Sequence, residues 1–144
     1  MTEEPKAQIT TMQTILYIED NHYNIQLIQR LLSKRPNVEL LTSGSGKDGF
    51  ALAKERSPDL ILLDVHLPDV SGYDVFHNLR SDPRTTLIPV VVLSADATPG
   101  QNQLFLDAGA DGYLTKPLDL SSLLHVIDKY LNTVQTAIDE SSDK

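Results

Sequence analysis

Five side chains in this 144-residue chain are suited to handling a phosphoryl group. Glu19 and Asp20 are adjacent acids that close the run ILYI, Asp64 closes LILL, Ser94 closes VVVL, and Lys116, with Pro117 directly behind it, follows GYLT. Three carboxylates brought into a small volume repel one another unless a cation sits among them or some hold a proton. An oxygen-only ligand set in a chain without cysteine suits a hard ion, Mg2+ above all or Mn2+ in its place, which keeps several waters and takes few protein carboxylates. A carboxylate, a cation, a hydroxyl and an ammonium at one site are the parts that phosphoryl transfer requires. An aspartate can itself be the nucleophile and form an aspartyl phosphate. In that chemistry the metal would neutralise charge on the transferring oxygens, Lys116 would pair with one of them and Ser94 would hydrogen-bond another.

For these residues to meet, the runs they close must lie side by side. Short aliphatic or β-branched runs over 15–19, 38–42, 60–64, 90–94 and 112–115 alternate with helical patterns over 23–33, 47–56, 72–79, 99–108 and 120–131. That alternation predicts a parallel sheet covered by helices. Three of the runs are nearly continuous in apolar residues, as strands buried on both faces are. The last helix is the best marked: Asp119 can cap its first turn, and Leu120, Leu123, Leu124, Ile127 and Leu131 line one face. The helix before it has Thr98 as a candidate N-cap, Pro99 at its first position and Gly109 just past its end. In open α/β sheets, ligands bind outside the carboxyl ends of the strands, where strand order reverses. A flavodoxin-like order, 2-1-3-4-5, makes the first and third strands neighbours and brings Glu19, Asp20 and Asp64 to one edge. The fold expected is therefore an α/β, doubly wound (βα)5 sandwich around a five-stranded parallel sheet. It occupies 14–132 as one domain, between a flexible polar leader over 1–13 and a polar tail over 133–144.

Composition narrows the function classes. Twenty acids against twelve bases give a formal charge of −8, which argues against nucleic acid and for proteins and cations as partners. The absence of cysteine excludes disulfides, Cys-ligated zinc and thiol catalysis, and suits a cytoplasmic protein. The longest apolar run, 60–63, is far too short to span a bilayer, and 1–13 has no apolar signal core; neither a membrane anchor nor a signal peptide is expected. His22, His77 and His125 are scattered over different helices without a partner, and TSGSGKDG lacks the spacing of a phosphate-binding loop.

Four ordered segments carry a resemblance over about 14–131. ILYIEDNHYN, DLILLDVHLPDVSGYDV, IPVVVLSADA and GADGYLTKPLD resemble the receiver domains of two-component response regulators. The resemblance implies that Asp64 is the phosphoacceptor, that Glu19 and Asp20 form the acidic pocket, and that the backbone carbonyl of His66 is a further metal ligand. It implies Ser94 and Tyr113 as a switch pair acting on the face made by the fourth helix, fifth strand and fifth helix, and a cis bond before Pro117. His66 and Asp96 fall at the positions that tune phosphoryl lifetime. One departure is Glu19, where many members have Asp; its longer arm would reach the metal through water. The function implied is that of a single-domain response regulator, phosphorylated by a histidine kinase or histidine phosphotransfer protein. It would signal through protein contacts, a homodimer through the same face among them, with self-phosphorylation and self-dephosphorylation as its own chemistry. A receiver excised from a hybrid histidine kinase and a phosphorylation-independent pseudo-receiver are the alternatives. Two other classes fit less well: a flavin protein would have a phosphate loop where Glu19–Asp20 stand, and a haloacid-dehalogenase-type phosphatase would need D-x-D after its first strand.

Overall fold

The computed structural model describes residues 11–96 and 99–131. Strands and helices alternate: β1 Gln13–Ile18, α1 His22–Leu32, β2 Val38–Ser43, α2 Gly46–Arg56, β3 Leu60–Asp64, α3 Gly72–Ser81, β4 Val90–Ser94, α4 Pro99–Asp107, β5 Gly112–Thr115 and α5 Leu120–Tyr130. All strand pairs are parallel, in the order β2-β1-β3-β4-β5, which is the doubly wound flavodoxin-like arrangement expected. None of the helices is long and apolar enough to cross a membrane among the described residues.

The two-residue period of the strands divides the core into two layers. Ile15, Tyr17, Leu60, Leu62, Val91 and Leu93 pack with Ile28 and Leu31 of α1 and with Leu123 and Ile127 of α5. Leu16, Ile18, Ile61, Leu63, Val90 and Val92 pack on the opposite side with Ala53 of α2, Phe76 of α3 and Phe105 of α4. Strands β3 and β4 are buried at every residue, as their unbroken apolar runs require. That burial includes Asp64 and Ser94.

Capping sets the helix starts. The side chains of Asn21, Ser45, Ser71 and Asp119 accept from the N–H groups of Asn24, Asp48, Asp74 and Ser121, each satisfying a donor the first turn leaves without an intrahelical partner. This places the starts of α1 and α2 one residue ahead of the apolar pattern. Helix α4 ends in a Schellman motif: Gly109 has φ +106, and Ala110 and Gly109 N–H donate to the carbonyls of Phe105 at 3.0 Å and Leu106 at 3.1 Å. Thr98, expected to cap α4, lies outside the described residues, as do 1–10 of the expected leader, residue 132 of the expected domain and the whole expected tail over 133–144. Gln13, assigned to the leader, instead opens β1, because its N–H donates to the Asn37 carbonyl at 2.8 Å and it pairs with Val38. Glu19, expected as the last strand residue, stands just beyond β1, although its N–H still reaches the Ser43 carbonyl at 2.8 Å.

At the opposite edge of the sheet, Arg35 closes α1 onto α5. Its side chain is 3% exposed, and its guanidinium forks onto Asp128, Nε to Oδ1 at 2.9 Å and Nη2 to Oδ2 at 2.8 Å. Bidentate charge-assisted bonds are among the stronger polar contacts, and Asp128 is only 31% exposed. Arg35→Ala is expected to destabilise the fold by roughly 1–3 kcal/mol, read as a lower urea midpoint at unchanged slope. An unchanged midpoint would show that the fork contributes nothing net.

Candidate functional site

The chemistry-bearing residues stand at the carboxyl edge of the sheet. Pairing of β1 with β3, β3 with β4 and β4 with β5 in register brings the residues after Ile18 and Thr115 to the edge where Asp64 and Ser94 end their strands. Strand β1 lies between β2 and β3, so the winding reverses there and the connections leave on opposite faces, opening a crevice at this edge.

Glu19, Asp20 and Asp64 each place a carboxylate oxygen within 4.8 Å of the others. Glu19 and Asp64 are 1% and 3% exposed, whereas Asp20 faces solvent. Lys116 Nζ donates to Asp64 Oδ1 at 2.9 Å and to Glu19 Oε1 at 3.0 Å. Three carboxylates against one ammonium leave two negative charges, the complement of a divalent cation. Protonation equilibria reflect the imbalance. Burial pushes the Asp64 carboxyl above its ordinary range, the Lys116 hydrogen bond opposes this, and the charge of Glu19 adds to it. For Lys116, burial works against the charged form, but its bonds to Asp64 and Glu19 outweigh that and hold the ammonium above its ordinary pKa. One cation is thus shared between two buried anions. The donors are all oxygens, and a hard ion completing its shell with water fits them.

The remaining donors around Glu19 come from its own strand and from α1. Tyr17 Oη donates to Oε1 at 2.9 Å and Asn24 Nδ2 at 3.3 Å, while Oε2 accepts from the Asn21 N–H at 3.3 Å. Burial, and then the charge of Glu19, push the Tyr17 phenol far above the ordinary tyrosine range. The sequence reading missed these contacts, although Tyr17 precedes Glu19 by two residues, the spacing that puts both on one face of an extended segment.

The loop 65–71 is fixed at both ends. The His66 backbone slightly opposes the rise of the Asp64 carboxyl, while Val65 N–H donates to the Leu93 carbonyl at 3.1 Å and Gly72 N–H to the Val65 carbonyl at 2.9 Å. A Cβ at Gly72 would sit 2.5 Å from Val65 Cα, so only glycine lets the chain close this tightly. Asp69, also missed from sequence, accepts from Gly46 and Lys47 N–H at 2.7 and 3.0 Å. Those backbone bonds lower its carboxyl pKa and tie the loop to the start of α2.

Ser94 is fully buried. Its Oγ accepts from Asp96 N–H at 3.0 Å, and its carbonyl accepts from Lys116 N–H at 2.7 Å. Half-buried Tyr113 donates through its hydroxyl to the Asp96 carbonyl at 2.8 Å, its ring 6.0 Å from that of Phe105. The Asp96 peptide groups are therefore held by the hydroxyls of both expected switch residues. The Lys116–Pro117 bond is cis, as the resemblance implied.

Comparison with known proteins places this geometry. Residues 15–128 match the response regulator receiver domain family. The polar-differentiation response regulator DivK of Brucella ovis is 33% identical over 119 residues, covering 83% of this chain and 96% of its own. The receiver domain of sensor histidine kinase PA1611 from Pseudomonas aeruginosa, solved with a magnesium ion in its active-site cleft, superposes with TM-score 0.74 at 28% identity, covering 83% of this chain and 98% of its own. The phosphorylated cyanobacterial phytochrome response regulator RcpA superposes with TM-score 0.70 at 33% identity, covering 83% of this chain and 91% of its own.

Proposed function

The chain belongs to the response regulator receiver domain family, and from that premise we propose that it is a signalling switch in which Asp64 accepts a phosphoryl group from a phosphohistidine donor. The observation that carries this reading is the cluster of three carboxylates, two of which, the buried Asp64 and Glu19, share the Lys116 ammonium. The phosphorylated state of the RcpA relative and the magnesium in the PA1611 relative support it.

Mg2+, or Mn2+ in its place, would be held by Asp20, Asp64, the His66 carbonyl and, through water, Glu19; when bound it supplies positive charge against the phosphoryl oxygens. An Asp64 carboxylate oxygen forms the new O–P bond as the P–N bond of the donor breaks. The electron pair stays on the donor imidazole. Lys116 exchanges its bond to Asp64 Oδ1 for one to a phosphoryl oxygen. Among the described residues the one hydrogen bond of Ser94 Oγ is the one it accepts from Asp96 N–H, and its own proton would go to a second phosphoryl oxygen. Drawing Ser94 toward the phosphoryl group disturbs the Asp96 segment that the Tyr113 hydroxyl holds, and Tyr113 carries the change to the face of α4, β5 and α5. That face is the proposed contact for a downstream protein and for a homodimer. His66 and Asp96, flanking the site, tune attack by water and so the lifetime of the acyl phosphate.

The proposed donor is a histidine kinase or histidine phosphotransfer protein. The net charge of −8 favours protein partners over nucleic acid, and the setting proposed is cytoplasmic. A second reading, a receiver acting within a hybrid histidine kinase, is favoured by the likeness to the PA1611 receiver; it uses the same acceptor chemistry and differs in the donor's location.

Incubation with acetyl phosphate and Mg2+ is expected to add one phosphoryl mass to the intact protein. The gain should vanish with a chelator and on treatment with hydroxylamine, which cleaves acyl phosphates. Protein that binds Mg2+ yet gains no mass from acetyl phosphate or from a phosphohistidine donor would instead be a pseudo-receiver.

A further inference from the structure

The longer arm of Glu19 poses a physical problem that its surroundings answer. A glutamate has one more rotatable bond than an aspartate, and a buried carboxylate without donors is costly. Here the side chain is 1% exposed and its Oε1 accepts from three groups: Tyr17 Oη at 2.9 Å, Lys116 Nζ at 3.0 Å and Asn24 Nδ2 at 3.3 Å. Oε2 accepts from Asn21 N–H alone among the hydrogen bonds of the described residues, at 3.3 Å. Oε1 thus carries three of the four hydrogen bonds that the Glu19 carboxylate accepts among the described residues, and through Lys116 it is the oxygen tied to Asp64. Of the three donors, Lys116 is the one that phosphoryl transfer would recruit elsewhere. Tyr17, fully buried on the α1 and α5 side of β1, and Asn24, on the first turn of α1, would remain.

Resting on the receiver reading above, we infer that Tyr17 is a positioning residue: with Asn24 it locks the Glu19 carboxylate in the place from which it would meet the bound cation's water, and it keeps that carboxylate there when Lys116 turns to the phosphoryl group. A buried phenol also simply needs some acceptor, so the test must separate a satisfied core tyrosine from a clamp on the metal site.

The separating experiment is calorimetric titration of Mg2+ into wild type, Tyr17→Phe, Glu19→Asp and the double variant. Loss of the partner that orients a metal-site carboxylate typically weakens metal binding about ten- to a hundred-fold, and Tyr17→Phe is expected near the lower end, about ten-fold. In the Glu19→Asp background, where the arm is a methylene shorter and drawn away from Tyr17 Oη, the same change should alter affinity by less than about two-fold, a coupling that a double-mutant cycle reads directly. Asn24→Ala, at a half-buried position of the first turn of α1, should weaken Mg2+ binding in the same sense even if Tyr17→Phe does not fold, as a thermal melt in chelator would show. Wild-type affinity in Tyr17→Phe, or an equal loss in both backgrounds, would make Tyr17 a core residue and overturn the inference while the receiver reading stands. A wild-type protein that binds no Mg2+ would overturn both.

Discussion

Asp64→Asn is expected to abolish phosphorylation, with no phosphoryl mass gain from acetyl phosphate or phosphohistidine under conditions where wild type is fully modified. The amide has nearly the shape of the carboxyl group but no anionic oxygen to form the O–P bond. A retained mass gain would put the phosphoryl group elsewhere and sink the assignment. The same variant has a stability signature with a definite sign. Burial, reinforced by Glu19 and opposed by Lys116, leaves the Asp64 carboxyl above its ordinary range. A folded-state pKa above the unfolded one means that the fold disfavours the ionised form. That penalty is absent below the unfolded pKa and grows as pH rises through the folded pKa. Asn never ionises, so in chelator at neutral pH the variant should melt no lower than wild type, and any gap should close as the pH is lowered through the carboxylate range. A variant that melts clearly lower at neutral pH would show that the Lys116 contact outweighs the burial of Asp64.

Most of the fold was legible because its cues are local. The apolar runs at β3 and β4 are buried on both faces, and a residue closing such a run has to emerge at the sheet edge; that reasoning placed Asp64 and Ser94. The order β2-β1-β3-β4-β5 then brought Glu19 and Asp20 beside Asp64, within the 4.8 Å now seen. The five helices were found from their apolar faces, while their ends were set by contacts that periodicity does not encode: Asn21 and Ser45 capping one residue early, Gln13 drawn into β1 by the Asn37 carbonyl. The clamps around the site were hidden for a different reason. Asp69 acts on Gly46 and Lys47, 23 and 22 residues away in sequence, and an acid in a loop is ordinarily solvated. Tyr17 reads as a core aromatic, which it also is. Its hydroxyl becomes informative only once Glu19 is known to be buried beside it.

Lys116→Met should move three observables in directions that only the charge balance of the site predicts together. Methionine keeps much of the arm and removes the ammonium that touches Asp64 at 2.9 Å and Glu19 at 3.0 Å. Phosphorylation should slow by about 10²–10³-fold, the usual cost of losing one group aimed at transferring charge. The ammonium's pKa is raised in the fold, so its contribution to stability is fully present below the unfolded lysine pKa and is lost only as pH rises through the folded value. At neutral pH the variant therefore lacks all of it. The lysine side chain is 21% exposed, so the loss should be roughly 2–4 kcal/mol, somewhat below that of breaking a fully buried pair. Acidification should recover part of it, because protonating Asp64, whose carboxyl is already held above its ordinary range, relieves the two carboxylates left facing each other. Mg2+ affinity should move the opposite way. Lys116 and the cation compete for the same carboxylates, and like charges a few ångströms apart repel even when partly screened, so removing the lysine should tighten Mg2+ binding while slowing the reaction. Tighter binding with slower chemistry cannot come from general damage to the fold, which would weaken both. If Mg2+ affinity instead fell with the rate, Lys116 would be organising the pocket's shape rather than balancing its charge.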